Sequence, residues 1–361
     1  MTRPWFIAFF FGLPMALLLA ACSAALPTAV SVLASPAPVA TANYSPAGAR
    51  SASPITLAEV IDLPTTAPPG RGWLVIHGTG DVNLDPAYVE GLALHGHGHA
   101  WSGLDGLFLS DDLTIVNLEC APSSLGNAEP KDYTFGCDPA ALPLMQAAGV
   151  EVANLANNHS QDFGKEAMLD GRANLVEAGI APVGVGASRA EANQPAFFEV
   201  AGWRVAVLGF GGVFPHDGWA ATGTRPGMAD GDDVLAMTEA VRNADAFADL
   251  VMVAIHWGVE FDTEPRVDDV ERAEAMVEAG ADVIFGHHSH RLNPLGEVDG
   301  KPVAWGLGNF VWLTFSGPGA TTAVARVVIS PSGAITSCLI PAHIESSGHP
   351  VLVGIPPCGA R

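Results

Sequence analysis

The chain has 361 residues, 49% of them hydrophobic, with 16 Lys and Arg against 38 Asp and Glu, a formal net charge of −22. That is apolar material for one large domain or two ordinary ones. A field of this sign repels nucleic acid and anionic membrane surfaces, so an anionic polymer could bind only with local help from metal ions or arginines.

The chain opens with "MTRPWFIAFFFGLPMALLLAAC": one basic residue, Arg3, then an apolar run, then Leu19-Ala20-Ala21-Cys22. Residues 1–22 read as a bacterial lipoprotein signal with a lipobox cysteine, Cys22. The run is short for a membrane span and no basic stop follows it. An ordinary signal peptide or a retained anchor are the alternatives. The expectation is export, with an N-terminal lipid on Cys22 tying the chain to the bacterial cell envelope, on the outer face of the membrane or in the periplasm. Export implies an oxidising compartment, where Cys120, Cys137, Cys338 and Cys358 suggest two disulfides. Sequence proximity favours Cys120–Cys137 and Cys338–Cys358; the other two pairings stay open. Residues 23–70 are rich in Ala, Pro and Ser and carry no period, as expected of a flexible tether.

From Trp73 short apolar runs alternate with helical segments. The strand candidates are "WLVIH" (73–77), "LTIVNL" (113–118), "VEVANLA" (150–156), "RVAVLGF" (204–210), "LVMVAIH" (250–256), "DVIFG" (282–286) and "TAVARVVI" (322–329). The helix candidates are 138–149, 164–179, 232–244 and 267–280, three of them ending in Gly, a common stop. This alternation predicts an α/β domain over 71–330 with much parallel sheet. "VAGWRV" and "VDGKPV" add hairpin turns, so the sheets should be mixed. Residues 331–361 read as a small β-rich extension.

Polar residues gather at the ends of these runs. They are Asp81; Asn117 and Glu119; Asn157, Asn158, His159 and Asp162; His256 and Glu260; and His287, His288 and His290. Ligands of open α/β sheets sit beyond the carboxyl ends of strands. Five strand ends supplying carboxylate, amide or imidazole are what a two-metal hydrolytic site requires. Imidazole with carboxylate suits two divalent transition ions, Mn, Fe or Zn, over Ca.

"GDVNL", "NLE", "ANNHSQDFG", "HWGVEF", "GHHSH" and "LGNF" stand in the order found in the CapA-type poly-γ-glutamate capsule proteins, which the chain resembles from about Trp73 to Val328. Those proteins are similar to calcineurin-like metallophosphatases. The resemblance implies a metallophosphatase-like two-sheet sandwich flanked by helices, with a dinuclear centre at the sheet edge. It implies Asp81 on a first metal, Glu119 in the bridging place, and Asn158 and His256 on a second metal. His288 and His290 would be split between the two, with His159 beside them as proton donor or oxyanion stabiliser. His287 would have a structural or supporting role. Two departures stand out: Asn83 replaces the His of an Asp-x-His motif, and Glu119 replaces an Asp.

Weaker signals remain. His95, His97 and His99 alternate with glycine, which suggests a mobile loop rimming the cleft more than a metal tract. "GLGNFVW" either brings Asn309 to the site or needs Gly306 and Gly308 for a tight backbone approach. Trp257 and Trp312 suit core or substrate platform equally. No P-loop or Gly-x-Ser-x-Gly elbow is present. The leading expectation is a surface metal-dependent hydrolase acting on capsule poly-γ-glutamate or on a phosphoester. The rival is a capsule assembly or export protein that binds polymer without cleaving it, with other assembly proteins as partners.

Overall fold

The computed structural model describes residues 53–55, 70–314 and 316–354. Cys22, Cys358 and most of the expected tether lie outside them. All the described residues belong to the unit from Pro46 to Arg361.

The apolar runs form strands close to their expected limits. In chain order the strands are β1 (Pro54–Ile55), β2 (Leu74–Val82), β3 (Leu113–Leu118), β4 (Val152–Asn154), β5 (Ala181–Val183) and β6 (Val185–Gly186). Then come β7 (Ala196–Val200), β8 (Trp203–Gly211), β9 (Gly227–Met228), β10 (Leu250–His256), β11 (Val283–His287) and β12 (Leu295–Val298). The last are β13 (Lys301–Ala304), β14 (Asn309–Val311), β15 (Thr321–Ile329), β16 (Ile335–Ile344) and β17 (Pro350–Leu352). A sheet of eight runs β17-β16-β15-β2-β3-β4-β5 with β14 added on β2, and a sheet of seven runs β1-β7-β8-β10-β11-β13-β12. Pairing is parallel through β2-β3-β4-β5 and β8-β10-β11-β13, and antiparallel at the flanks, so both sheets are mixed.

Both expected hairpins form. Val200 pairs with Trp203 and Val298 with Lys301. Their two-residue turns, Ala201-Gly202 and Asp299-Gly300, have positive φ throughout, which matches the right-handed twist of the flanking strands. The long helices are Gly164–Glu177, Val234–Asp245 and Val267–Glu278. Gly179 and Gly280 follow the first and third of these with φ of 81° and 117°. A side chain would oppose that left-handed turn, so glycine ends the helix there.

The two sheets pack face to face. Leu74, Ile76, Leu113, Ile115 and Val152 of one meet Val205, Val207, Met252, Val283 and Phe285 of the other. Helix Gly164–Glu177 covers the outer face of the larger sheet through Met168 and Leu175. The other two long helices cover the smaller sheet through Met237, Val241, Ala273 and Met276. Each buried Met, Val or Leu among them contributes about 1.5–3 kcal/mol. Gly78 is needed where the sheets meet, because a Cβ there would collide with the Phe285 ring.

The segment after Ser330, expected as a small β-rich cap, extends the larger sheet as β16 and β17. Cys338 lies in β16 and is disulfide-bonded. Pro54 and Ile55, inside the expected tether, pair with β7. A strand edge offers free N–H and C=O groups, and local composition does not reveal which segment will take them.

Candidate metal centre

Parallel strands end on the same side, so the carboxyl ends of β2, β3, β4, β10 and β11 lie along one edge of the sandwich. The register aligns Asp81 with Asn117, Asn117 with Asn154, and His256 with His287. Asp81, Asn117 and Glu119 come from the larger sheet and His256, His288 and His290 from the smaller. The cluster therefore spans both layers.

Asn117 is its hub. Its Nδ2 donates to Asp81 Oδ1 at 2.9 Å and lies 3.2 Å from His256 Nδ1 and 3.4 Å from Glu119 Oε2. Its Oδ1 accepts from Asn154 and Asn157. His256 Nε2 faces Asn158 Oδ1 at 2.8 Å and lies 3.7 Å from Glu119 Oε1.

Two donor triplets emerge, each with its ligand atoms within 4.8 Å: Asp81, Glu119 and His256, and Glu119, His288 and His290. Glu119 belongs to both. Asp81 Oδ2, Glu119 Oε1, His288 Nδ1 and His290 Nδ1 are buried without hydrogen-bond partners. Asp81 Oδ2 and His290 Nδ1 are 3.0 Å apart but not aligned to bond, as two donors aimed at a common third atom would be. His288 and His290 hold φ of 90° and 51°, a left-handed backbone that costs non-glycine residues of order 1–3 kcal/mol each.

Burial and the charge of Asp81 push the Glu119 carboxyl well above its ordinary range. Burial also works on Asp81, but the His290 and His287 imidazoles and the Asn117 amide outweigh it and hold Asp81 low. One carboxylate thus keeps its charge and the other resists losing its proton, a conflict that a bound cation would remove. Burial, reinforced by the neighbouring imidazoles, pushes His256 far down and His288 to about 4. Both are neutral near pH 7, the form that ligates metal. The donor set fits a divalent transition ion.

His159 stands beside this cluster, its Nε2 3.9 Å from Glu119 Oε1. Its Nδ1 meets Asp162 Oδ2 at 2.7 Å, and the ring stacks on Phe135 at 4.2 Å between centroids. Lys131 Nζ bonds Asp162 Oδ1 and the Asn158 carbonyl, each at 2.6 Å. Lys131 also lies 3.3 Å from His159 Nδ1, but Asp162 is the closer, accepting partner, so Nδ1 carries the proton. Burial lowers the His159 pKa, with Asp162 opposing.

Other expected residues take different places. Both ring nitrogens of His287 face backbone carbonyls, Thr79 at 2.9 Å and Ile255 at 3.3 Å, so it braces the strand ends. Asn157 donates to the Leu118 carbonyl and accepts from the His159 N–H. Asn83 Oδ1 caps the turn at Asp85. Glu260 is exposed at the cleft rim. In "GLGNFVW" Asn309 pairs in register with Asp81, the Gly308 carbonyl accepts the Asp81 N–H at 2.9 Å, and Gly308 itself has a φ of 70°. A Cβ on Gly80 would meet that carbonyl. His95 and His99 do not rim the cleft. They lie in helix Glu90–His95 and the 3₁₀ turn His97–Trp101, with the His99 ring packed at a tilt against His95 and His349. Trp257 is core, bonded to the Trp305 carbonyl, whereas Trp312 lies 4.7 Å from the His290 ring.

The cluster opens into a cleft of about 330 Å³ walled by Tyr88, Tyr133, Phe135, Phe261 and Trp312. The Cys120–Cys137 disulfide forms as expected and closes the loop carrying Lys131, Tyr133 and Phe135. The sequence reading missed Lys131, Phe135 and Arg291. The only available signal for the first two was their place between those cysteines, next to Glu119.

Two packed mixed sheets with a buried carboxylate–imidazole cluster at their shared edge define an α/β protein with a candidate metal centre. The family described as bacterial capsule synthesis protein PGA_cap matches residues 75–313, and the chain belongs to it. It is 36% identical over 212 residues to the PGA biosynthesis protein CapA of Bacillus subtilis, covering 58% of this chain and 55% of that protein. It is 35% identical over 214 residues to the capsule biosynthesis protein CapA of Bacillus anthracis, covering 58% and 52%. A probable polyglutamine synthesis accessory protein of Mycobacterium tuberculosis is 32% identical over 215 residues, covering 55% of each. The chain spans about half the length of these relatives.

Proposed function

We propose that this chain is a metal-dependent hydrolase of the bacterial envelope that processes the γ-linked glutamate polymer of capsule biosynthesis. The observation that carries this reading is Glu119, shared by two donor triplets of which all but His290 are buried, beside an oriented His159–Asp162 pair. One ion would be held by Asp81, Glu119 and His256 with help from Asn158, the other by Glu119, His288 and His290. This keeps His288 and His290 together, where the family resemblance would divide them. When bound, such ions polarise the scissile group and neutralise charge that develops on it.

The chain's own residues supply the proton handling. Asp162 fixes the His159 tautomer, and Lys131 balances the Asp162 charge. His159 Nε2 is then free to accept a proton inside the cleft. It can pass that proton to the leaving group, a role that typically contributes about 10²–10⁴-fold. Phe135 holds the ring in place. A lipid on Cys22, following residues 1–22 read as an export signal, would place the chain where it meets an extracellular polymer.

The test is metal analysis of the purified chain, followed by hydrolysis assays on poly-γ-glutamate and phosphoesters. Metal-dependent cleavage of the polymer supports the reading. A fully metal-loaded chain that cleaves neither substrate overturns it in favour of a polymer-binding assembly protein.

A further inference from the structure

Arg291 follows the candidate ligand His290 and lines the cleft. Its Nη1 donates to the His290 carbonyl at 2.7 Å, and its guanidinium lies 4.6 Å over the Phe261 ring. Phe261 is itself locked, with φ of 72° and its N–H on the Ser289 carbonyl at 2.7 Å. The guanidinium is thus fixed in orientation, with most of its five donors unused. Among the described residues no carboxylate pairs with it. Arg71, Arg189, Arg272 and Lys301, by contrast, each sit against an acid.

Asn309 lines the same cleft and is 4% exposed. Its Nδ2 donates to the Gly319 carbonyl at 3.1 Å, which assigns the amide orientation. Its Oδ1 is then a buried acceptor without a partner. The cleft therefore presents an unpaired cation at Arg291 and a buried, unpaired acceptor at Asn309.

We propose that these two residues determine specificity: Arg291 receives a ligand carboxylate and Asn309 Oδ1 receives a ligand amide N–H. The cleft then takes an amide-linked chain bearing carboxylates. A phosphoester satisfies Arg291 but has no N–H for Asn309, whose lone pairs would face its oxygens. The inference rests on the reading that this cleft holds the substrate, and it names which chemical groups of the substrate are read.

The test is calorimetric titration of the metal-loaded full chain with three probes: tri-γ-glutamate, its methyl ester with every carboxylate capped, and an ester-linked analogue lacking the N–H. Inorganic phosphate is a fourth. Tri-γ-glutamate should bind most tightly. Capping its carboxylates, or Arg291→Gln, should each weaken binding by about 10–100-fold, the range for a charge-assisted hydrogen bond. The two changes should not add, and Arg291→Lys should recover part of the loss. The ester-linked analogue should bind more weakly than the amide to wild type but equally to Asn309→Ala. Melting curves verify that the variants fold. Failure of the trimer to bind, trimer affinity unchanged by Arg291→Gln, or phosphate binding as tightly as the trimer would each overturn the proposal. Arg291-dependent binding without turnover leaves it standing and removes the hydrolase instead.

Discussion

Replacing both Cys120 and Cys137 by Ala removes one covalent tie and leaves no unpaired thiol. The bond spans 17 residues. In the loop-entropy treatment, closing a loop of that length lowers the entropy of the unfolded chain enough to contribute about 3 kcal/mol. A domain of this size unfolds with an entropy of roughly 0.6 kcal/mol/K, so the variant should melt about 5 °C below wild type. The consequence reaches the site, because the freed loop carries Lys131 and Phe135, which hold Asp162 and His159. Turnover should fall while metal content holds, since no candidate ligand lies in the loop. Differential scanning calorimetry without reductant, paired with metal analysis, makes the measurement. A variant melting within about 1 °C of wild type would show that the bond does not constrain the unfolded chain as this reasoning requires.

Three further outcomes are expected. Asp81→Asn and His290→Ala should each purify with less bound transition metal, measured by plasma mass spectrometry; full occupancy in both would remove the donor assignment. His159→Ala should keep its metal and lose about 10²–10⁴-fold in kcat on the substrate the assays find, whereas unchanged turnover would leave it a loop residue. The third concerns pH. Glu119 is raised above its ordinary 4.5, so the metal-free folded chain retains a proton there that the unfolded chain has already released. Its contribution to stability therefore falls as pH rises from 4.5 towards the folded value, and Glu119→Gln should abolish that fall. Urea unfolding of chelator-treated protein across this window gives the comparison; a constant wild-type-minus-variant difference would refute it.

The local pattern by itself determined much of this protein. Apolar runs such as "LVMVAIH" specify buried strands wherever they are placed, and β10 occupies those seven residues and no others. Gly179 and Gly280 end helices because a left-handed backbone disfavours a Cβ. Asp299-Gly300 makes a hairpin turn for the same local reason. The candidate donors were visible too, as imidazoles and carboxylates at the tips of hydrophobic runs. Tertiary structure decided which of them meet. Side chains alternate along a strand, so His287 turns to two backbone carbonyls while His288 joins the donor cluster, and only packing against the second sheet sets which is which. Asn117 became the hub because β2, β3 and β4 bring Asp81, Asn117 and Asn154 into register, and pairing register between segments so far apart is not written in either one. Lys131 and Arg291 carry no motif, and the motif around Asn309 does not say what its side chain meets. Their roles come from what the fold set beside each of them: Asp162 for the lysine, Phe261 for the arginine, and Asp81 for the asparagine.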